Sequence, residues 1–356
     1  MDHVDVEKVL LARPRGFCAG VEMAIKSLAW MVRIFEPPVY CFHEIVHNKV
    51  VVARFEQLGV RFVNAISDVP AGSPVMLSAH GSAPETVECA RRRSAVSVNA
   101  VCPLVTKVHH EVRVRSRRGS SIIYVGHKNH DEALGTVAIA PDSITLIETE
   151  AELDEMAEIS GPVALISQTT LSMDDWAEIR EQVIRKYPGI WMANKSDLCF
   201  ATTNRQLAVR ELSSRSDSVV VIGSENSSNT IALERTARKY GASHVYRVNG
   251  PFELPDDLVG VVGVTAGASA PEDVVEAVIE RLNPKHGVDE ILVSEEEEYF
   301  PPPPELRDIL KVLTAAVSLA LLCPRSDVMP TDNDSSSDAS SILGKLLASL
   351  ARSVQP

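Results

Sequence analysis

The sequence predicts an α/β protein built from three similar α/β units. Short β-branched apolar runs alternate with helical patterns, and each run ends in a loop of Gly, Ser, Thr, His or Asn. Three cysteines, Cys18, Cys102 and Cys199, recur about every 90 residues, and each precedes a helical pattern. We therefore expect three α/β domains and an extension, with limits at residues 9–101, 102–197, 198–310 and 311–356.

The composition narrows the class of function. A chain of 356 residues is longer than one hydrophobic core supports. The formal net charge of -13 argues against nucleic acid or an anionic membrane as a partner and fits a small-molecule enzyme. The six cysteines form no CxxC pair, so we expect reduced thiols and a cytoplasmic location. We also expect neither a signal peptide nor a membrane-spanning segment.

The first unit begins with an apolar run at 9–12, a Gly-containing turn and a helical pattern at 21–35. Cys18 stands at the start of that helix, where the helix dipole and free N–H groups stabilise a thiolate. A thiol in this position suits a metal ligand or a nucleophile. It equally suits a small buried residue, which is the common role of a lone cysteine.

The same pattern of an apolar run, a polar loop and a helix recurs along the chain. Continuous β-branched runs of this kind are typical of parallel strands buried on both faces. Ligands of such sheets bind beyond the carboxyl ends of the strands, where these polar loops lie. The runs are 75–77, 122–125, 163–166, 219–222 and 261–264.

Local signals predict where two helices begin and where one ends. Ser-Ala-Pro-Glu occurs at 82–85 and again at 269–272, and in each case predicts a capping box at a helix start. Gly241 is the predicted C-terminal cap of the helix that begins near Asn229.

The composition changes after Pro284. Residues 289–298 are acidic, Pro301–Pro304 follow, and residues 306–322 are amphipathic. The Asp- and Ser-rich residues 331–341 are predicted to be disordered, and residues 342–354 to form a short helix. We expect the extension at 311–356 to be largely disordered.

Three cysteines at strand-end loops suggest a metal centre. Thiolates suit iron–sulfur clusters and zinc, and three ligands leave one position open for a substrate. The alternative is three unrelated buried thiols. Cys41, in a predicted strand, is a reserve candidate.

His43 to His47 matches HExxH, the zinc protease signature. That motif requires a helix, whereas the residues before it, 37–42, have the pattern of a strand. A zinc-dependent hydrolase is therefore kept only as an alternative function.

Several polar side chains in the strand-end loops suit an anion. Helix N-termini favour negative charge, so neutral donors there can hold a phosphate or diphosphate with few cations. For Ser269 an ordinary capping role is an equally good explanation. The candidates are His47, His80, His130, Ser227, Ser228, Asn229 and Ser269.

Glu132 is the candidate general acid, and Thr169 is the candidate for relaying its proton. Glu132 lies near the centre of a His- and Gly-containing loop, and Thr169 lies in another strand-end loop. A solvated Glu at a helix start is an equally good interpretation of this position.

Taken together, these residues resemble the 4-hydroxy-3-methylbut-2-enyl diphosphate reductase family (the LytB family), which acts last in the methylerythritol phosphate route to isoprenoids. The stretches are collinear over roughly residues 9–310 and are jointly very specific. They are 14–21, 43–48, 78–81, 102–109, 126–130, 168–172, 199–206, 223–229 and 265–271.

The resemblance implies a trefoil of three pseudo-repeated α/β domains around a central 4Fe-4S cluster. Cys18, Cys102 and Cys199 would each hold one iron, and the allylic hydroxyl of the substrate would meet the fourth. The two electrons would arrive singly from ferredoxin or flavodoxin with its reductase.

The resemblance also implies roles for the loop residues. Glu132 and Thr169 would deliver protons, with His130 nearby, and the products would be isopentenyl and dimethylallyl diphosphate. The diphosphate would be held by His47, His80, Ser227, Ser228, Asn229 and Ser269, and His130 and Thr169 would also bind the substrate.

This chain departs from the family pattern in three places. Asp131 replaces the usual Pro between His130 and Glu132 and adds a charge beside Glu132. The acidic run and Pro301–Pro304 replace the usual end, and the tail from about Lys311 has no recognisable counterpart. A non-catalytic iron–sulfur redox sensor is the remaining alternative.

Overall fold

The computed structural model describes residues 5–194, 196–321 and 338–353. Every strand pairing in this part of the chain is parallel, as the continuous apolar runs predict. The strands are β1 (Asp5–Arg13), β2 (Val39–Phe42), β3 (Val60–Val63), β4 (Val75–Leu77), β5 (Ser97–Asn99), β6 (Ser121–Val125), β7 (Ile144–Ile147), β8 (Val163–Ser167), β9 (Trp191–Met192), β10 (Ser218–Ile222), β11 (His244–Val248), β12 (Val259–Ala266) and β13 (Val288–Leu292).

Helices connect the strands, and two short 3-10 helices lie at Ile66–Asp68 and Pro251–Glu253. The α-helices are α1 (Ala19–Ile34), α2 (Lys49–Gln57), α3 (Pro84–Arg93), α4 (Pro103–Arg117), α5 (Asp131–Val137), α6 (Glu150–Glu155), α7 (Met173–Lys186), α8 (Phe200–Ser213), α9 (Ser228–Lys239), α10 (Glu272–Leu282), α11 (Pro304–Leu321) and α12 (Ala339–Ser353).

The strands form three sheets with the same internal order, which confirms the predicted α/β trefoil. The first sheet is ordered β3-β2-β4-β5 and the second β7-β6-β8-β9. The third is ordered β11-β10-β12-β1-β13, so its first four positions repeat the pattern. Each sheet is covered by helices on both faces, and strands such as β10 are wholly buried.

The position of β1 differs from the expectation that the chain's first strand opens the first domain. It pairs with β12 and β13, and so takes the fourth place in the third sheet. The repeat therefore closes on itself: the N-terminal strand completes the C-terminal unit. The domain limits at 9–101, 102–197, 198–310 and 311–356 stay a prediction.

The two predicted capping boxes are wrong. The N-caps of α3 and α10 are Ala83 and Pro271, and neither side chain caps its helix. Because proline follows Ser82-Ala83 and Ser269-Ala270, each helix begins one or two residues later than the serine would require. The Ser269 hydroxyl is consequently available for another partner. Gly241, with φ of 107°, follows the C-cap of α9 as predicted.

The described parts of the extension are helical and packed onto the first unit. Leu306, Leu310, Ile342 and Leu343 are buried in the same core as α1 and β2. The Ala339 N–H donates to Glu22 Oε2 at 2.9 Å, which fixes the start of α12 against α1. Residues 322–337, which include most of the stretch predicted to be disordered, lie outside the described residues.

None of the helices in the described part of the chain combines the length and apolar character needed to cross a bilayer.

Replacing Leu343 tests whether α12 contributes to the stability of the first unit. Leu343 is fully buried, so Leu343→Ala should lower the free energy of unfolding by about 2–4 kcal/mol and lower the melting temperature. Leu319→Ala is the matched control, because Leu319 is 77% exposed. Equal melting temperatures of the two variants, measured anaerobically by calorimetry, would show that α12 is not docked in solution.

Candidate active site

Each of the three cysteines is the N-cap of a helix that follows the fourth strand of a sheet. Cys18 follows β1 and caps α1, Cys102 follows β5 and caps α4, and Cys199 follows β9 and caps α8. The predicted helix starts are therefore confirmed. All three residues line one central pocket, so the closed repeat brings the three thiols together.

One backbone hydrogen bond recurs at each cysteine. The N–H of Cys18 donates to Ala268 O at 3.2 Å, that of Cys102 to Ala79 O at 3.0 Å, and that of Cys199 to Thr169 O at 3.0 Å. Each acceptor lies in the loop after the third strand of the same sheet. These three loops carry Ser269, His80 and Thr169 itself, so the position of each thiol is coupled to a predicted substrate or proton-donor group.

The thiols are closely spaced and partly buried. A Cβ on Gly20 would lie 2.7 Å from Cys102 Sγ and 3.9 Å from Cys18 Sγ, so only glycine fits between them. Burial raises the pKa of Cys18 and of Cys102, and raises that of Cys199 to about 12. A bound cation removes this penalty because it favours the thiolate. Three convergent, partly buried thiols therefore fit a thiolate-ligated metal group.

Arg205 fixes the Cys18 loop and was not singled out from the sequence. Its fully buried guanidinium donates to Gly16 O at 2.8 Å and to both oxygens of Glu296 at 3.0 Å. It also opposes the burial-induced rise in the pKa of Cys18. The only available sequence signal for the partner was the acidic run at 289–298, which gave no reason to choose Glu296.

Glu132 and Thr169 are joined by two hydrogen bonds in the pocket. Glu132 is 2% exposed, and its Oε1 accepts the Thr169 N–H at 2.7 Å. Its Oε2 accepts the Thr169 hydroxyl at 2.9 Å. Burial raises the pKa of Glu132 to about 7, although both hydrogen bonds oppose the rise. The solvated-surface interpretation of Glu132 is therefore wrong, and its protonation state changes near neutral pH.

Three predicted histidines meet at one side of the pocket. The rings of His47 and His80 stack with centroids 3.9 Å apart, and His130 meets His47 edge-on at 5.0 Å. Burial lowers the pKa of His80 well below its usual range and that of His130 to about 3. The imidazoles of His80 and His130 are therefore neutral, and an anion beside them would favour their protonation.

Asp131 does not act directly on Glu132. Its Oδ1 lies 2.8 Å from His43 Nδ1, and its Oδ2 lies within 4 Å of His47 and His80. The His43 contact lowers the pKa of Asp131 against the effect of burial. The residue that departs from the family pattern thus links the loop after β2 to the start of α5.

The polar groups at the start of α9 face the same pocket. Both side-chain polar atoms of Asn229 are buried without a hydrogen-bond partner among the described residues, so they are available to a ligand. Ser228 Oγ donates to Thr170 O, and Ser227 Oγ accepts the Thr230 N–H. Ser269 Oγ donates to His47 O at 2.9 Å, which joins two loops of the pocket.

The pocket suits an anion although no Lys or Arg lies among its described lining residues. The N-terminus of α9 and the neutral donors supply the positive potential instead. All the predicted catalytic, binding and metal-ligating residues line this pocket. Two aromatic residues, Phe200 and Phe300, also line it and were not predicted, since nothing in their local pattern marks them.

The HExxH stretch is not helical, because α2 begins only at Lys49. His47, His80 and Asp131 offer ligand atoms within 4.8 Å of one another. However, the two imidazole planes are only 12° apart, so their lone pairs lie in nearly parallel planes rather than converging on one ion. Residues 43–47 are therefore not the helix that the zinc protease motif requires, and the neighbouring imidazoles do not converge on one ion.

Cys41 also lies outside the pocket. It is fully buried in β2, and burial raises the pKa of its thiol above the usual range. It does not line the pocket, and so it is not brought to the three cysteines that do.

Two curated proteins are similar to this chain over most of their length. The 4-hydroxy-3-methylbut-2-enyl diphosphate reductase of Rhodopirellula baltica is 45% identical over 295 residues, covering 81% of this chain and 92% of that protein. The protein of the same name from Acidothermus cellulolyticus is 44% identical over 311 residues, covering 85% and 91%.

A solved structure and a family model agree with these similarities. The E-1-hydroxy-2-methyl-but-2-enyl-4-diphosphate reductase from Plasmodium falciparum superimposes with a TM-score of 0.83 and 30% identity, over 87% of this chain and 99% of that chain. The family model described as LytB protein matches residues 9–283. The chain therefore belongs to the LytB protein family.

Proposed function

We propose that this protein is the oxidoreductase that converts 4-hydroxy-3-methylbut-2-enyl diphosphate to isopentenyl and dimethylallyl diphosphate, the final step of the methylerythritol phosphate pathway. The observation that carries the proposal is one pocket that combines three partly buried thiols, a carboxyl group with a pKa of about 7 and unpartnered polar groups for an anion. The reaction consumes two electrons and two protons and releases the hydroxyl as water.

Cys18, Cys102 and Cys199 would hold a 4Fe-4S cluster by one thiolate each. When bound, the cluster supplies electrons one at a time and an iron with an open position for the allylic hydroxyl. Arg205 assists because its charge favours the Cys18 thiolate. Ferredoxin or flavodoxin with its reductase would supply the electrons.

The loops at the other end of the pocket would bind the diphosphate. Asn229 would donate its unpartnered amide N–H, and the start of α9 would supply backbone N–H groups. The proposed binders are His47, His80, His130, Ser227, Ser228, Asn229 and Ser269. Proton uptake by His80 and His130 would compensate the charge of the diphosphate.

Glu132 would act as the general acid. Its pKa of about 7 keeps a substantial protonated fraction at neutral pH, and burial excludes competing water. Thr169 holds the carboxyl group through both oxygens, so its hydroxyl is placed to pass a proton onward. An anaerobic assay with the allylic diphosphate, scored by formation of both products, tests the proposal directly.

Removing one predicted iron ligand tests the metal centre. Cys102→Ser should lose most of its iron and sulfide after anaerobic reconstitution, together with turnover, because a serine oxygen is a poor substitute for a thiolate. Cys89→Ser is the control, since Cys89 lies in α3, away from the pocket. Full iron content and turnover in Cys102→Ser would contradict the ligand assignment.

Glu132→Gln tests the general acid. The amide retains the shape of the carboxyl group and an acceptor for the Thr169 N–H, so iron content and substrate binding should stay unchanged. Because Gln has no proton to give, kcat should fall about 10²–10⁴-fold. Glu155→Gln, an exposed residue at the end of α6, is the matched control. Undiminished turnover in Glu132→Gln would exclude Glu132 as the acid.

The pH dependence follows from the same carboxyl group. A general acid is active only when protonated, so kcat/KM should fall about tenfold per pH unit above about pH 7. The residual rate of Glu132→Gln should lack this descending limb. A limb that persists unchanged in the variant would assign the titration to another group.

A further inference from the structure

Glu132 has to be reloaded within each catalytic cycle, and this inference rests on the proposed function. Reductive removal of the hydroxyl takes up two protons: one leaves in water with the hydroxyl and the other ends on carbon. Glu132 carries one proton, and it is buried against Thr169 with 2% of its surface exposed. When substrate fills the pocket, bulk water does not reach Glu132 from that side, so reloading it from bulk water would need a route outside the pocket.

Two buried polar groups lie beside Glu132 without lining the pocket. The hydroxyls of Tyr124 and Thr136 are fully buried and have no hydrogen-bond partner among the described residues beyond each other. Neither residue lines the pocket. A buried hydroxyl without a protein partner normally bonds an internal water molecule, so this region suits a short water row.

The elements of the second unit bring these hydroxyls together. Thr136 follows Glu132 by one turn of α5, so both side chains lie on the same helix face. Tyr124 lies in β6 on the sheet face that α5 covers, in the same core as Ala133 of α5. Burial, and secondarily the charge of Glu132, raise the pKa of Tyr124, while contact with the Thr136 hydroxyl lowers it. Tyr124 therefore lies between α5 and the sheet as a neutral hydroxyl.

The far end of the group approaches the protein surface. Asp197 lies close enough to Tyr124 for its charge to raise the pKa of that hydroxyl, and Asp197 Oδ1 lies 3.6 Å from Lys107 Nζ. The Lys107 side chain is 41% exposed, whereas Asp197 is buried. The polar groups thus extend from bulk water at Lys107 to the carboxyl group of Glu132.

We infer that Tyr124 and Thr136, with internal water, form a rear proton path that reloads Glu132 while substrate occupies the pocket. A neutral hydroxyl donates one proton as it accepts another, so each group ends the transfer unchanged. One proton enters from bulk water near Lys107, and one arrives at the Glu132 carboxylate. These residues act through Glu132 and are positioning residues, since neither of them touches the substrate pocket.

The test uses the iron-loaded enzyme and Tyr124→Phe, which removes the hydroxyl and keeps the ring. We expect kcat to fall about tenfold or more with KM and iron content unchanged, because proton transfer becomes slow. The solvent deuterium isotope effect on kcat should increase, and added imidazole buffer should restore part of the rate as an external proton donor. Thr136→Val should show the same changes.

Tyr240→Phe is the control, because the Tyr240 hydroxyl bonds Asp174 outside the pocket. It should leave kcat and the isotope effect unchanged. An unchanged kcat in both Tyr124→Phe and Thr136→Val, with an active wild type, would overturn the rear path alone. A loss of rate without a larger isotope effect and without rescue would show a structural role and overturn it as well. Absence of turnover in the iron-loaded wild type would instead overturn the proposed function.

Discussion

The backbone hydrogen bond from each cysteine to the loop after the third strand of its sheet is the contact on which the rest of the site depends. It joins Cys18 to Ala268, Cys102 to Ala79 and Cys199 to Thr169. Because the acceptor loops also present the groups proposed for anion binding and proton transfer, thiols and loops are positioned as one unit. A displacement of any one helix N-terminus would alter a proposed metal ligand and a proposed substrate or proton-transfer contact together.

This arrangement requires the repeat to be closed. The first two sheets take their fourth strand from their own segment of the chain, but the third takes β1 from the N-terminus. Cys18, which follows β1, can then take the same position at a helix start as Cys102 after β5 and Cys199 after β9. Arg205 reinforces the closure because it links α8 of the third unit to the carbonyl of Gly16.

The parts of the structure that depend on local pattern could be predicted from the sequence. The five apolar runs are strands, and the three cysteines cap helices, because β-branched runs and helix starts are determined by nearby residues. The place of β1 in the third sheet could not be derived in this way, since strand pairing across the whole chain leaves no local signal. The prediction that Ser269 caps a helix was wrong for the opposite reason. The local capping pattern is present, but the Ser269 hydroxyl donates instead to the His47 carbonyl, more than two hundred residues away. The partners of Arg205 and the burial of Glu132 likewise depend on tertiary packing.

The burial of Glu132 explains both its usefulness and its constraint. A low-dielectric surrounding raises its pKa to about 7, so the carboxyl group is protonated often enough to serve as an acid at neutral pH. The same burial separates it from bulk water, so a proton that it gave away would not be replaced from bulk water on the pocket side once a ligand is bound. Thr169 alone cannot supply the replacement proton, because its hydroxyl already donates to Glu132 and its loop faces the ligand. An acid tuned by burial therefore needs a separate supply of protons, and the buried hydroxyls behind α5 are placed where that supply has to run.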